Sequence, residues 1–259
     1  MDTLKKKVEK SKVLLFVYRL CLPFIDFNRF IASVRGWFWY IRDLFKYIFI
    51  FKKRIPFIDL YPILDEKTKE TGVDYQYLYQ QLWVFNQVSQ KKPKSHYDIG
   101  STYQMSGYIA GITKAYFVDI RPIKATIPNL EVIPGSIEKL PFKDSSIDSL
   151  SCLHVIEHIG LGRYGDNLNP NGSQIAANEL SRVLSKGGFL YLSTPIGRER
   201  ICFNAHRVFN PKTIIEHFKD LQLVEFSYVD DLGQLHRKSK IRNFNNSEYS
   251  LGMFKFTKN

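Results

Sequence analysis

The chain has 259 residues, 44% of them hydrophobic, which is enough to bury the core of one large domain and argues against a disordered protein. Residues 1–54 carry 13 Lys and Arg against 4 Asp and Glu, so they hold +9 of the net charge of +12. The nearly neutral remainder argues against nucleic-acid binding, which needs a basic face on the domain itself. Three cysteines without close spacing argue against a disulfide framework and favour a reducing, cytoplasmic compartment.

Residues 1–73 are predicted to form an apolar, basic, helical extension that ends in a connector. Charged residues interrupt its apolar runs, so neither run supplies the roughly 20 apolar residues of a membrane-spanning helix. No small-residue cleavage site of a signal peptide follows the first run. Lys5-Lys6-Lys7 and Lys52-Lys53-Arg54 flank the apolar segments. At helical spacing one apolar stripe comprises Trp37, Ile41, Leu44, Ile48 and Phe51.

Two interpretations of this extension are open. Apolar helices with flanking cations can lie in the headgroup region of an anionic membrane, which would make residues 1–54 a peripheral membrane anchor. Alternatively, the helices pack on the rest of the protein or on a second copy of it, and the cations are solvated.

Residues 74–259 are predicted to form an α/β domain. Its first helix covers 74–90, and five residues are expected on the inward face of this helix, namely Tyr75, Leu78, Leu82, Phe85 and Val88. From His96 onward strands and helices alternate, which indicates a Rossmann-like, mainly parallel sheet flanked by helices. Seven strands are predicted, at 96–101, 115–120, 130–133, 147–155, 189–194, 224–229 and 249–256. Helices are predicted from the first strand through Lys114, at 173–184 and at 210–219.

The ends of the first two strands carry a pattern typical of cofactor sites. In such sheets ligands bind beyond the carboxyl ends of the strands. Asp98-Ile-Gly100 ends the first strand, and a glycine there lets the backbone approach a ligand closely. Asp119 ends the second strand, where a carboxylate can accept hydrogen bonds from two ribose hydroxyls. The order and spacing of these features predict a cofactor site at this edge.

Further segments resemble the class I S-adenosylmethionine-dependent methyltransferases. Residues 134–148, which include Gly-Ser-Ile-Glu-Lys-Leu-Pro-Phe, resemble the segment that lines the adenine pocket of that family. Residues 179–188 resemble its helix and turn before strand five, and 204–211 resemble a loop over its acceptor pocket. The tract 96–231 also resembles an uncharacterised family, domain of unknown function 268, through 98–101, 118–122 and 154–166.

The resemblance implies S-adenosylmethionine as cofactor. The residues it assigns to cofactor binding are Asp98, Gly100, Ser101, Asp119, Ile120, Ser136, Ile137 and His154. Thr102 and Gln104 stand where the family has its second and third glycines, and Ser136 replaces the acid that reads adenine. A side chain at position 102 or 104 would crowd the methionine part of the cofactor. An inactive, methyltransferase-like binding or scaffold module is therefore the alternative function.

Three histidines are the candidates for proton removal from an acceptor, because histidine titrates near neutral pH. His154, His158 and His206 fall on the predicted ligand face, and Glu157 could orient one of them. Each histidine could instead be purely structural. Four arginines on neighbouring loops could hold an anionic acceptor or could be solvated, namely Arg121, Arg163, Arg198 and Arg200. The expected acceptor is a small molecule or a glycan, as in surface polysaccharide biosynthesis.

A minor alternative is a zinc hydrolase. His154-Val-Ile-Glu157-His158 fits the H-x-x-E-H pattern, in which two histidines one helical turn apart bind zinc. The pattern directly follows a predicted strand, however, and Ile159-Gly-Leu-Gly162 would break a helix just after it. Glu179 is the available third ligand. No metal is predicted.

Overall fold

The computed structural model describes residues 11–52, 54–242 and 244–259, and of Lys12 only the backbone. The basic run Lys5-Lys6-Lys7 and Lys53 lie outside the described residues. The chain divides into two compact units, Met1–Gly72 and Val73–Asn259.

The described part of the first unit contains two helices, α1 (Lys12–Cys21) and α2 (Phe27–Phe51), and a 3-10 turn at Phe57–Asp59. The Ser11 hydroxyl accepts a hydrogen bond from the backbone of α1, and the Asp26 carboxylate does the same for α2, so each helix begins at a capping side chain. Within the described residues, no helix is long and apolar enough to cross a membrane.

The predicted apolar stripe of α2 is only partly covered within the first unit. Leu44 and Ile48 are partly buried, but Trp37, Ile41 and Phe51 are exposed. The helix instead turns Gly36 toward the connector, where a Cβ on Gly36 would lie 2.3 Å from the carbonyl oxygen of Leu64. The missing side chain, rather than the apolar periodicity, selects the face that the connector covers.

The second unit begins with α3 (Tyr75–Lys91), and an eight-stranded sheet follows. Its strands are β1 (Ser95–Ile99), β2 (Lys114–Asp119), β3 (Leu130–Pro134), β4 (Ile147–Leu153), β5 (Leu184–Ile196), β8 (Gln222–Val229), β9 (Leu235–His236) and β10 (Ser250–Thr257). The helices are α4 (Tyr103–Ala110), α5 (Gly172–Val183) and α6 (Pro211–His217). A separate hairpin pairs β6 (Arg200–Cys202) with β7 (His206–Val208).

The strand order is β3-β2-β1-β4-β5-β10-β8-β9. Strands β1 to β5 pair in parallel, and β10 is antiparallel to both β5 and β8, so β8 runs in the direction of β5. The carboxyl ends of β1, β2 and β4 therefore meet at one edge, on both sides of the point where the strand order reverses. This is where an open α/β sheet binds its ligands.

The Rossmann-like fold is confirmed, with eight strands rather than the predicted seven. The additional strand, β9, has two residues and pairs with the end of β8. A two-residue strand is too short for the alternation of apolar and polar residues that identifies a strand in a sequence.

The predicted inward face of α3 is wrong for three of its five residues. Val88 is buried and Phe85 is partly buried against the core, but Tyr75, Leu78 and Leu82 are exposed. Gln80 and Val84 complete the buried face. The buried face includes a glutamine because the hydroxyl of Ser193 on β5 donates a hydrogen bond to its side-chain oxygen. A buried polar group with a partner can replace an apolar residue in the core, and hydrophobic periodicity does not detect that exchange.

Candidate active site

The turn after β1 forms the first wall of a cavity at the switch point. Gly100 has φ of +67°, a conformation that glycine adopts without strain, and an added Cβ would lie 3.1 Å from Cγ1 of Val155. The Ser101 hydroxyl accepts a hydrogen bond from the backbone N–H of Leu153 at the end of β4. Gly100 and Ser101 both line the cavity. The turn is thus held against β4 with its backbone open to a ligand.

Asp119 and the turn after β3 form the second wall. The Asp119 side chain is 15% exposed, and Oδ1 accepts a hydrogen bond from the backbone N–H of Arg121. Ile120, Ser136 and Ile137 line the same cavity, whose volume is about 250 Å³. This lies close to the lower end of the range for small-molecule sites. Seven of the eight residues predicted to bind the cofactor therefore converge on one cavity, namely Gly100, Ser101, Asp119, Ile120, Ser136, Ile137 and His154.

Asp98 is the exception, because it lies behind the cavity wall and not in it. Its side chain is buried, and both carboxylate oxygens accept hydrogen bonds from serine hydroxyls, namely those of Ser101, Ser106 and Ser151. Burial raises the pKa of Asp98 to about 6 despite these donors. Asp98 therefore supports the turn through Ser101, and the prediction that it contacts the cofactor directly is corrected.

The two residues that replace the family's glycines do not fill the cavity. Thr102 lies in the wall, and its hydroxyl accepts a hydrogen bond from the Gln81 side chain on α3. Gln104 is exposed on α4 and is not part of the wall. The Ser136 hydroxyl accepts a hydrogen bond from the backbone N–H of Glu138, and Glu138 also lines the cavity. Glu138 was not predicted, although it lies within the segment that resembles the family.

The end of β4 places a histidine–glutamate pair beside this cofactor wall. His154 has φ of +55°, and its Nδ1 lies 2.7 Å from Oε1 of the fully buried Glu157. Burial opposes ionisation of Glu157, but contact with His154 outweighs it and the pKa of Glu157 is lowered. A carboxylate at Nδ1 fixes the proton there and leaves the lone pair on Nε2. In the described residues this buried Nε2 has no hydrogen-bond partner.

Two further residues hold the pair in place, and neither was predicted. The hydroxyl of Thr194 on β5 donates to Oε2 of Glu157 at 3.2 Å. The ring of Tyr77 on α3 stacks on the His154 ring at a centroid distance of 5.1 Å, and Tyr77 also lines the cavity. Both contacts join elements distant in sequence, so no local pattern signals them. Glu157 itself lies behind the wall.

The other two predicted histidines differ in their placement. His158 lines the cavity, but its Nδ1 donates to the carbonyl of Ala205, and burial lowers its pKa. His206 lies on β7 outside the cavity wall and packs against the Tyr249 ring, and burial lowers its pKa to about 4. His206 therefore lies near the site, since Glu157 and His158 influence its pKa, but it is not part of the cavity wall, and the prediction that it faces the ligand is corrected to that extent.

The loop after β4 closes the remaining side of the cavity. The Asp166 carboxylate accepts hydrogen bonds from the backbone N–H groups of Gly160, Gly162 and Tyr164, so one side chain folds the loop. Tyr164 and Asp166 line the cavity. The Arg121 guanidinium lies 4.3 Å from the centre of the Tyr164 ring, which connects this loop with the loop after β2.

The predicted arginines do not act as one group. Arg121 lines the cavity. Arg163 donates to the carbonyl of Ala205, while Arg198 and Arg200 both lie within 3.6 Å of the Glu248 carboxylate. Of the four, Arg121 is the one placed to meet an acceptor inside the cavity.

The local structure does not support the zinc-hydrolase alternative. Residues 154–158 follow β4 as a bend and a turn, not as the helix that brings two histidines onto one face. The carboxylate of Glu179 accepts from the backbone of Leu140 and pairs with Arg182, so it is not a third ligand. Among the residues that the structure describes, no group of three acidic, histidine or cysteine side chains could hold a metal ion.

The chain was compared with protein families, with curated proteins and with solved structures, and the solved structures share its fold. Residues 138–249 match the family described as "Caenorhabditis protein of unknown function, DUF268". None of the curated proteins compared with the chain matches it. Among solved structures, a "putative sarcosine dimethylglycine methyltransferase" from Galdieria sulphuraria is 14% identical with a TM-score of 0.52, and the match covers 70% of this chain and 85% of that one.

Two further structures are similar. The [4+2]-cyclase SpnF is 12% identical with a TM-score of 0.51, over 73% of this chain and 85% of that one. The N-methyltransferase NodS of Bradyrhizobium japonicum, in complex with S-adenosylhomocysteine, is 12% identical with a TM-score of 0.49, over 71% and 88%. Likeness at such identities establishes the fold and not the chemistry, as the name of the cyclase illustrates. The second unit thus shares the fold of these methyltransferases, and the predicted resemblances, to the class I fold and over residues 138–249 to DUF268, are confirmed.

Proposed function

We propose that this protein is an S-adenosylmethionine-dependent methyltransferase that acts on a hydroxyl group of a small-molecule or glycan-type acceptor. The observation that carries the proposal is a single cavity. Its wall combines the Gly100 turn, Asp119 and His154, whose buried Nε2 has no hydrogen-bond partner among the described residues. These are the groups needed to hold an adenosyl cofactor and to accept a proton beside it.

The residues of the first and second walls fit the cofactor. Asp119 would accept hydrogen bonds from the ribose hydroxyls, and the open backbone at Gly100 would leave room for the methionine part. Bound there, S-adenosylmethionine supplies a methyl group already activated by a positive sulfur. Gln104 lies outside this wall, which favours a working site over an occluded scaffold module.

His154 is the proposed general base. While the acceptor oxygen takes the methyl group, Nε2 of His154 takes the hydroxyl proton. Glu157 keeps the Nδ1–H bond and stabilises the imidazolium that forms, as a buried carboxylate does in other histidine-dependent sites. Thr194 and Tyr77 act on His154 only as positioning residues, through the carboxylate and the ring face respectively.

The wall beyond His154 supports a polar, ring-shaped acceptor. Tyr77 offers an aromatic face for the apolar side of a sugar ring, and Arg121, which lies against the Tyr164 ring, offers a cation for a phosphate or carboxylate. This combination supports glycan-type acceptors, and with them the proposed role in surface polysaccharide biosynthesis.

The first experiment is calorimetric titration of the full chain with S-adenosylhomocysteine. Saturable binding is expected, and a protein that is folded but does not bind would overturn the proposal.

The second experiment compares wild type with Glu157→Gln for transfer of a labelled methyl group to a glycan extract. Because Glu157 is not in the wall, cofactor binding should persist while transfer falls by about 100-fold or more. Equal transfer by both proteins would contradict the assignment of His154, oriented by Glu157, as the general base.

We also propose that the extension attaches the protein peripherally to a membrane surface. Helix α2 exposes large apolar side chains around much of its circumference, including Phe38 (78% exposed) and Phe49 (71%), next to several cations. Flotation of the full chain with anionic vesicles should fall when Phe38, Phe45 and Phe49 become serine. The control changes three exposed apolar residues outside the helices to serine, namely Phe57, Ile58 and Tyr61. Equal flotation of both variants would contradict the attachment.

A further inference from the structure

The cavity wall at Ser101 is the visible end of a buried chain of hydrogen bonds that begins at His96 on β1. His96 Nδ1 lies 2.8 Å from Oγ of Ser149, and Nε2 lies 2.9 Å from Oγ of Ser151. The Ser151 hydroxyl lies 2.5 Å from Oδ1 of Asp98, and the Ser101 hydroxyl lies 2.6 Å from the same oxygen. His96, Ser151 and Asp98 are each at most 1% exposed. One buried path therefore connects a histidine ring with the turn that lines the cofactor cavity.

The direction of each bond in this chain follows from counting protons. Ionised Asp98 has no proton to give, so the Ser151 hydroxyl donates to it. A hydroxyl has only one proton, so the Ser151 oxygen accepts from Nε2 of His96, and the ring proton is on Nε2. Burial lowers the pKa of His96 to about 3, so at neutral pH Nδ1 has the lone pair that accepts the Ser149 hydroxyl. The bonds therefore all point one way, from Ser149 to Asp98.

Asp98 is a buried charge that serine hydroxyls hold without a cation. Its third donor is the Ser106 hydroxyl on α4, 2.9 Å from Oδ2, and among the described residues no Lys or Arg forms a salt bridge with it. The titratable groups that face it are His96 through Ser151, Asp119 on β2 and the Cys152 thiol on β4. The imidazole and the buried thiol are uncharged at neutral pH, and burial, with a small contribution from Asp119, raises the pKa of Asp98 to about 6. Each hydroxyl donor therefore affects how much of Asp98 is ionised near neutral pH.

We propose that His96 and Ser151 are positioning residues of the cofactor site, which act by keeping Asp98 ionised and bonded to the Ser101 turn. The inference rests on the proposed function and names a control of the same site. Ser101 accepts the backbone N–H of Leu153 and donates to Asp98, so both bonds together fix the turn. Protonation of Asp98 removes the charge that the hydroxyls stabilise, and hydrogen bonds to a neutral acceptor are roughly half as strong. The turn is then held less firmly, and the cofactor binds more weakly.

The test compares two buried serines of one strand by calorimetric titration of the full chain with S-adenosylhomocysteine at a series of pH values. Ser151→Ala removes a donor from Asp98, whereas the matched Ser149→Ala removes a donor from His96 and leaves Asp98 its three. Wild-type affinity should fall as the pH falls through about 6. Ser151→Ala should raise the pH of this fall by about 1–2 units, because a hydrogen bond to a charged group has that value. Its affinity at neutral pH should drop by up to about tenfold and recover in alkaline buffer, while Ser149→Ala should follow wild type.

Two substitutions of His96 separate positioning from packing. Glutamine places its amide nitrogen where Nε2 now lies and can still donate to Ser151, whereas the shorter asparagine reaches only Ser149. His96→Gln should therefore keep the wild-type pH profile of binding, and His96→Asn should shift it as Ser151→Ala does. A purely structural role of His96 would lower the thermal midpoint of both variants and leave both pH profiles unchanged, which would overturn the proposal.

Nitrogen NMR of the histidine rings in the wild-type chain supplies a check that does not depend on the folding of any variant. The His96 ring should be neutral with its proton on Nε2, and a proton on Nδ1 would reverse the chain and refute the inference. If wild type binds S-adenosylhomocysteine but the Ser151→Ala and Ser149→Ala profiles coincide, this inference is wrong and the proposed function stands. A folded wild type that does not bind would refute the proposed function itself.

Discussion

Replacing Asp119 by asparagine tests whether this carboxylate binds the ribose of the cofactor. The asparagine keeps one side-chain oxygen, which can still accept the backbone N–H of Arg121 that Asp119 now accepts at 2.7 Å, so the turn should persist. The second oxygen becomes an NH₂ group and the negative charge is lost. A hydrogen bond to a charged group is worth about 1.5–3 kcal/mol and a neutral one about 1 kcal/mol. With two ribose hydroxyls affected, the expected loss is about 2–3 kcal/mol, or roughly 30- to 150-fold in Kd.

The assay is calorimetric titration of the full chain with S-adenosylhomocysteine. The control is Asp220→Asn, because Asp220 is exposed and precedes β8, at the opposite edge of the sheet. The control should bind like wild type, and both variants should have a similar thermal midpoint. If the folded Asp119→Asn variant bound within about threefold of wild type, this carboxylate would not meet the ribose and the assignment of the wall would be wrong.

Three other changes test the packing around the site. Burial holds the pKa of His96 at about 3, so the unfolded chain takes up a proton first and stability is lost as pH falls below about 6.5. In urea titrations, His96→Gln should reduce the loss of unfolding free energy between pH 6.5 and 4.5 by about 2 kcal/mol, and an unchanged pH dependence would contradict this. Gly100→Ala and Gly187→Ala should each lower the free energy of unfolding by about 1 kcal/mol, because both glycines have positive φ. Only Gly100→Ala should weaken S-adenosylhomocysteine binding, since a Cβ at Gly187 meets open space. Gly36→Val should release the connector from α2 and speed its proteolysis, and an unchanged cleavage rate would show that the close contact with Leu64 is dispensable.

The strand-end positions of the site were predictable because they depend on local order. A strand followed by a glycine turn, and a second strand that ends in an acid, must bring those groups together once the strands are parallel neighbours. Gly100, Asp119, Ser136 and Ile137 reach one cavity for that reason. His154 follows the same rule, because β4 lies next to β1.

The errors share a different cause, which is that burial depends on what packs against a residue. Gln80 is buried in α3 because Ser193 lies opposite it, and Asp98 is withdrawn from the ligand because three serines surround it. His206 lies on a hairpin that the sequence pattern did not predict, and it is not part of the cavity wall. Each of these outcomes requires a partner from another element.

The sequence by itself determined the alternation of strands and helices, the order of the cofactor-side groups and the apolar, basic character of the extension, because these follow from periodicity and spacing along the chain. Only the tertiary structure decided which of the three histidines Glu157 contacts and which one has a buried ring nitrogen without a hydrogen-bond partner among the described residues. The pair is buried and held by Thr194 and Tyr77, which belong to segments far away in the chain and meet it only when the domain folds.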